Sequence, residues 1–286
     1  MKIKMAGATG YLGNKISNEL KKKGHEVSGI SRKLLYGSVE ELKNELMGAD
    51  AIYFLAGAPV LQRWTEKNKK EIYDSRVVTS RNIVAAIQAM KPEKRPKKVI
   101  SASAVGIYEP GKTHEESSTD FDAGFLGTVV KDWENEWQNL PENVQLAIFR
   151  MGIVLGMEAE TIKKMLLPFK LGLGGKIENG KQPFPFVHEK DVADAYVWGL
   201  ENEKAKGVFN LAAPDMINNK EFTKVLADEL NRPAFFRVPG FALKLAFGEA
   251  AVMLTESPAV VPAKLTQSGF RFQYPSIDKT LKEIIS

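Results

Sequence analysis

A short apolar stretch, Ile3 to Ala6, runs straight into Gly7-x-x-Gly10-x-x-Gly13, and a helical pattern begins directly behind it. That order is strand, glycine turn, helix. Gly7 allows the tight turn, Gly10 lets a pyrophosphate approach the backbone, and Gly13 permits close helix-on-strand packing. Amide groups at the helix start, over Thr9, Tyr11 and Leu12, are then aimed at anionic oxygens. Leu12, Ile16 and Leu20 recur every four residues, so one stripe faces a sheet while Lys15, Asn18 and Lys21 to Lys23 face water. Gly24 is placed to close the helix. A glycine triplet alone fits any tight turn; the strand before it and the helix and second strand after it make it a dinucleotide site.

The second strand, His25 to Ile30, ends in Ser31-Arg32-Lys33. An NAD-binding unit carries an Asp or Glu about 20 residues past the glycines to accept from the ribose 2′-hydroxyl, whereas an Arg there suits a 2′-phosphate. This strand end offers Arg32 and no acid. NADP(H) is therefore expected over NAD(H), the plainer reading of Arg32 being a solvated cation.

Composition bounds the rest. A chain of 286 residues, 44% of them apolar, can bury a sizeable core in one large domain or in a core with an appendage. Without Cys it has no disulfide, thiolate ligand or thiol nucleophile. The chain starts in a strand with no leader pattern, so cytoplasmic residence is expected, and no apolar run reaches the roughly 18 residues that span a bilayer. Forty Lys and Arg against 35 Asp and Glu give a net charge of only +5, in clusters scattered along the sequence. Nucleic-acid and membrane partners are accordingly not expected. Isolated His25 and His114 and the lack of paired carboxylate spacing argue against a metal.

Strands and helices alternate as a doubly wound parallel α/β fold requires. Ala49 to Gly57 reads as a buried strand whose small carboxyl end, Leu55, Ala56 and Gly57, lies beside the ligand. One helix is expected over 66–90, with Ser75, Arg76 and Thr79 near one face. Lys97 to Ala104 is the next strand, followed by a helix over 125–140 and a strand over 144–150.

Several stretches together resemble the extended, epimerase-like branch of the short-chain dehydrogenases/reductases: GATGYLG, FLAG, VISASAVGIY and FRMGIVLG. Arg63-Trp64, Asp74 to Val77, Lys131 to Glu134, Leu167 to Gly175 and Pro183 to His188 narrow the likeness. The tail from Val238 to Tyr274-Pro275 is similar to that of the atypical epimerase-family group of YfcH and the SDR39U1-like proteins. The resemblance implies a Rossmann-type NADP(H)-binding domain over 1–157, rejoined by 183–213, and a smaller α/β substrate part from 158–182 and 214–286. Its segment 236–286 corresponds to the C-terminal domain of that group. It also implies that Ser31 and Arg32 hold the 2′-phosphate, with Leu55, Ala56, Arg76 and Val154 around the rest of the cofactor.

Catalysis departs from that pattern. Most members carry Tyr-x-x-x-Lys on the helix after the fourth major strand, where a spacing of four sets both side chains on one face and Lys lowers the Tyr pKa. Here Gly127 stands four before Lys131. The other two such strings, Tyr11 to Lys15 and Tyr108 to Lys112, are not expected to present a pair on one helical face near the hydride position. Ser103 and Tyr108 remain as candidates for proton transfer, Ser103 being equally a strand-end hydrogen-bonding residue. His188 reads as a helix cap or a cleft residue. Two functions stay open: an NADP(H)-dependent oxidoreductase or nucleotide-sugar-type epimerase acting on a small carbonyl or hydroxyl compound, and a non-catalytic NADP(H)-binding redox reader. Phe241 to Leu254, apolar on nearly every face, is expected to be buried against residues 166–186 as a lid, or else against a second copy in a homodimer.

Overall fold

The computed structural model describes residues 1–285, with the side chains of residues 160 and 161 excepted. A parallel sheet of six strands forms its centre, in the order β10 (Gly207–Leu211), β6 (Gln145–Met151), β4 (Lys98–Ala104), β3 (Ala51–Phe54), β1 (Lys2–Ala6) and β2 (Glu26–Ile30). In chain order the elements begin β1 (Lys2–Ala6), α1 (Tyr11–Lys22), β2 (Glu26–Ile30), α2 (Arg32–Leu35), α3 (Val39–Leu46) and β3 (Ala51–Phe54). They continue with α4 (Glu66–Asp74), α5 (Val77–Gln88), β4 (Lys98–Ala104), β5 (Thr113–His114), α6 (Phe125–Trp137), β6 (Gln145–Met151) and β7 (Ile153–Leu155). Next come α7 (Glu160–Lys170), β8 (Gly175–Ile177), β9 (Phe186–His188), α8 (Glu189–Glu201), β10 (Gly207–Leu211), α9 (Asn219–Glu229) and β11 (Phe236–Val238). The tail holds α10 (Gly240–Phe247), α11 (Val252–Thr255), β12 (Ala259–Val260), α12 (Ala263–Gln267) and α13 (Ile277–Ile285). Among the described residues no helix is long and apolar enough to cross a membrane.

The chain leaves β1 for β2 on one side and then crosses to β3 on the other, so the strand order reverses at β1. Ala6 pairs with both Ile30 and Phe54, which brings three strand ends together at the crevice where open parallel sheets bind ligands. Helices cover both faces. The α1 stripe buries Ile16 and Leu20 with Tyr196 and Val192 of α8, while α3, α5 and α6 bury Leu42, Ile83 and Trp133 on the opposite face. Gly24, with φ +81°, ends α1 as its sequence position suggested.

A second apolar cluster joins Ile162 and Phe169 of α7, Phe184, Phe222 of α9 and Leu281 of α13. Tail residues also return to the larger part: β12 pairs with β5 in a separate two-stranded sheet, and Leu265 and Phe270 pack in the cluster under α8.

Two expectations fail. The helix over 66–90 is two helices, parted at Ser75 and Arg76. Ile72 O, which a continuous helix would offer to Arg76 N–H, instead accepts from the Arg76 guanidinium (Nη1, 3.2 Å), and Arg76 N–H turns to Tyr73 O (3.1 Å). The Phe241–Leu254 segment is likewise not one buried helix. It breaks at Gly248, no residue of α10 is buried, and Phe241 and Leu245 are 77% and 76% exposed. α10 is fastened at its ends, where Gly240 N–H donates to Glu178 and Arg63 donates to the carbonyls of Leu245 and Ala246.

Candidate cofactor site

The glycine turn is built as its spacing implies. Gly7 has φ +86°, and a Cβ there would stand 2.8 Å from the carbonyl carbon of Leu55 and 2.9 Å from Ala56 N, so the turn lies flat on the end of β3. A Cβ on Gly13 would fall 2.0 Å from Gly7 O; the helix packs on the turn itself rather than on the strand. Gly10 differs: its Cβ would meet only Gly7 O, at 3.3 Å. The space above it is open. Gly10 also N-caps α1 with no side-chain cap, and among the described residues no side chain takes the amides of the first turn. Thr9 and Gly10 are exposed, and Tyr11 and Leu12 half-buried, along this opening.

Leu55 and Ala56 are half-buried and Gly57 exposed at the end of β3. The lack of a side chain at Gly57 makes room for Arg76, whose Cζ would lie 2.8 Å from a Cβ there. The Arg76 guanidinium donates to Ala58 O (3.1 Å) and Ile72 O and faces the Trp133 ring at 5.7 Å. Among the described residues it has no carboxylate partner, and burial pulls its pKa down to about 10. A desolvated cation without an anion is costly, and an anionic ligand would relieve it. Val154, half-buried in β7, packs against the cluster under α1 and α8.

At the end of β2, Ser31 caps α2 by accepting from Leu34 N–H (3.3 Å). Arg32 follows, exposed, with Nη2 3.0 Å from Glu71 Oε1 of α4. The strand end carries no acid of its own, but the fold supplies one from 39 residues away.

Ser103 and Tyr108 belong to a closed network. Ser103 Oγ donates to Glu134, which Arg150 grips through Nε (2.8 Å) and Nη2 (2.7 Å). Tyr108 OH accepts from Arg150 Nη1 (2.7 Å) and donates to Asn210 Oδ1 (2.8 Å), and its ring stacks on His114 at 4.7 Å. Burial raises the Tyr108 pKa, against the pull of Arg150. Neither hydroxyl is free. Arg150, alone among apolar residues in LAIFRMG, is the one sequence sign of this network, and it was missed.

The position four before Lys131 cannot hold a tyrosine, because a Cβ on Gly127 would lie 2.1 Å from Asp122 O. Lys131 itself is exposed. Tyr11 and Lys15 share a face of α1 at the glycine turn, as their spacing of four allows, with Lys15 Nζ 5.3 Å from the Tyr11 ring. Lys15 is committed to Glu189 (3.0 Å) and Glu158 (3.5 Å). His188 caps α8, its Nδ1 accepting from Lys190 N–H (3.1 Å), and burial lowers its pKa to about 4. No group of three or more His, Asp or Glu stands together as metal ligands among the described residues.

Residues 3–212 match the NAD dependent epimerase/dehydratase family, and residues 238–284 match a domain of unknown function, DUF1731. The chain is 35% identical over 296 residues to the epimerase family protein SDR39U1 of Bos taurus, covering all of both chains. It is 34% identical over 303 residues to the epimerase family protein YfhF of Bacillus subtilis, covering all of this chain and 98% of that one. The crystal structure of human SDR39U1 with NADPH superposes with a TM-score of 0.92 at 33% identity, over 100% of this chain and 99% of that one.

Proposed function

The chain belongs to the NAD dependent epimerase/dehydratase family, and on that footing we propose that it is an NADP(H)-binding, epimerase-like oxidoreductase acting on a small carbonyl- or hydroxyl-bearing compound. The observation that carries this reading is the opening at Gly10, where an uncapped helix N-terminus faces space that a single Cβ would narrow. First-turn amides of α1 would hold the pyrophosphate, and Ser31 and Arg32 the 2′-phosphate. Leu55, Ala56 and Gly57 form the floor, with Arg76 as the buried cation and Val154 as a wall. The human relative's NADPH supports the phosphorylated form of the cofactor. When bound, it supplies or accepts a hydride. The chain's part is to hold it, exclude water and orient a partner, without the Tyr and Lys of most relatives.

A second reading, in which NADP(H) occupancy sets the protein's shape or partner without turnover, is favoured by one observation: Ser103 and Tyr108 are both consumed by the Glu134–Arg150 network. Fluorescence titration with NADPH tests the shared premise. Saturable binding to the wild type, absent in Gly10→Val, is expected; a wild type that does not bind overturns both readings. Oxidation of NADPH by a panel of small carbonyl compounds then separates them.

A further inference from the structure

Arg32 opens α2 behind β2, and α4 sets the Glu71 carboxylate 3.0 Å from its guanidinium. Both side chains are well exposed, at 73% and 40%, and the Tyr36 ring lies 5.8 Å from the guanidinium carbon. Units that select NAD(H) carry an acid at the end of this second strand; here the acid arrives on another helix at the same place. A carboxylate only accepts hydrogen bonds, so it pairs with a ribose hydroxyl and repels a phosphate. A guanidinium only donates, and its fork matches phosphate oxygens. The two partners of this ion pair thus favour opposite cofactors.

We propose that Glu71 is a cofactor-selectivity residue: it accepts from the 2′-hydroxyl of NADH, and it gives up Arg32 to the 2′-phosphate of NADPH, so that it moderates the preference Arg32 creates. The proposal rests on the reading of Ser31 and Arg32 as the ribose end of the cofactor site. Exposed ion pairs are weakly held, so a phosphate can displace Glu71 from Arg32 at little cost. The displaced carboxylate then stands beside an anion. Its charge penalises NADPH, whereas toward NADH it only accepts a hydrogen bond.

Dissociation constants for NADPH and NADH, measured by fluorescence titration on the whole chain, test this. Both substitutions below fall on exposed side chains, and thermal melting verifies that each variant folds. Glu71→Gln is expected to tighten NADPH and weaken NADH, raising the ratio of the NADH to the NADPH constant by roughly tenfold. Arg32→Ala is expected to lower the same ratio to one or below. An unchanged or lowered ratio in Glu71→Gln, in a protein whose ratio does respond to Arg32→Ala, overturns the role of Glu71 alone. A wild type that binds neither cofactor, or a ratio indifferent to Arg32→Ala, overturns the site reading and the proposal with it.

Discussion

Arg150 and Glu134 form a two-point ion pair beneath the carboxyl end of the sheet, with N–O distances of 2.8 and 2.7 Å and side chains only 5% and 9% exposed. Arg150 also holds Tyr108, Tyr108 holds Asn210, and Asn210 Nδ2 donates to Val261 O (3.0 Å), so the pair links β6 and α6 to the tail beyond β12. Desolvating two charges offsets much of their attraction, but leaving one behind alone is worse. Glu134→Ala is therefore expected to cost about 3–5 kcal/mol. Arg150→Met with Glu134→Leu should cost less than the sum of the single changes. Urea denaturation of the full double-mutant cycle reads the difference, and additive losses would mean that the pair contributes no coupling.

Gly10 and Gly13 separate binding from folding. A Cβ at Gly10 meets one atom at 3.3 Å, and its extended backbone suits any residue; a Cβ at Gly13 is driven to 2.0 Å from Gly7 O. Gly10→Val should keep the melting temperature within a few degrees and abolish NADPH binding. Gly13→Val should lower stability by several kcal/mol, as overpacking against fixed backbone does. Normal NADPH affinity in Gly10→Val would reduce the turn to scaffolding.

The first turn was legible because strand, glycines and helix lie within thirteen residues, and each glycine acts on a neighbour in sequence or on the adjacent strand end. The break at Arg76 was not, since there a side chain takes the place of a main-chain donor and the apolar spacing continues past it. Glu71 was invisible as a partner of Arg32 for a different reason: only the packing of α4 beside the end of β2 brings the two together. Ser103 was placed correctly at a strand end, yet its partner Glu134 lies on the helix scanned for Tyr and Lys. What depends on neighbours in sequence is legible in the sequence, and the pairings that depend on tertiary contact are not.

Two buried groups three residues apart give opposite dependences on pH. Burial lowers the His188 pKa to about 4 from 6.5, helped by Lys190 and Lys15 and opposed by Glu283. The unfolded state then binds the extra proton, so this contribution to stability is present above pH 6.5 and lost as pH falls towards 4. Burial raises Asp191 to about 6 from 3.8, against the N–H groups of Gln273 and Tyr274 and with Asp194 and Lys279 nearby. Here the folded state binds the extra proton, so stability is greatest below about pH 4 and falls as pH rises to 6. Each is worth roughly 3 kcal/mol, and they largely cancel. Urea midpoints between pH 4 and 6.5, read as differences from the wild type, separate these two groups from Glu189 and Asp194, whose carboxyls burial also raises. His188→Asn, which keeps a capping acceptor, should decline with rising pH, and Asp191→Asn with falling pH. The same slope in both variants would refute the assignment.

Lys131 is expected to be dispensable. It is exposed, and the backbone of Asp122 bars any side chain from the position four residues before it. Lys131→Ala should leave NADPH affinity, melting temperature and turnover of a carbonyl substrate within about twofold of the wild type, as surface changes remote from a site do. A large fall in turnover alone would expose a lysine-centred mechanism.

Leu245 and Leu281 lie in the same tail in opposite surroundings. Leu281 is wholly buried with Phe222 and Ile284 in the cluster formed by α9 and α13; Leu245 is 76% exposed on α10, a helix with no fully buried residue. Leu281→Glu should unfold the smaller cluster, because an unpaired carboxylate is set among apolar groups. Leu245→Glu should change monomer stability by no more than about 0.5 kcal/mol. Nothing in the described residues covers Phe241 and Leu245, and a second copy of the chain is expected to do so. Light scattering across a concentration series is the measurement: a dimer that becomes a soluble monomer on Leu245→Glu, at unchanged melting of the isolated monomer, is the expected outcome. A wild type that stays monomeric at every concentration, with the same scattering in the variant, would show that α10 stands free.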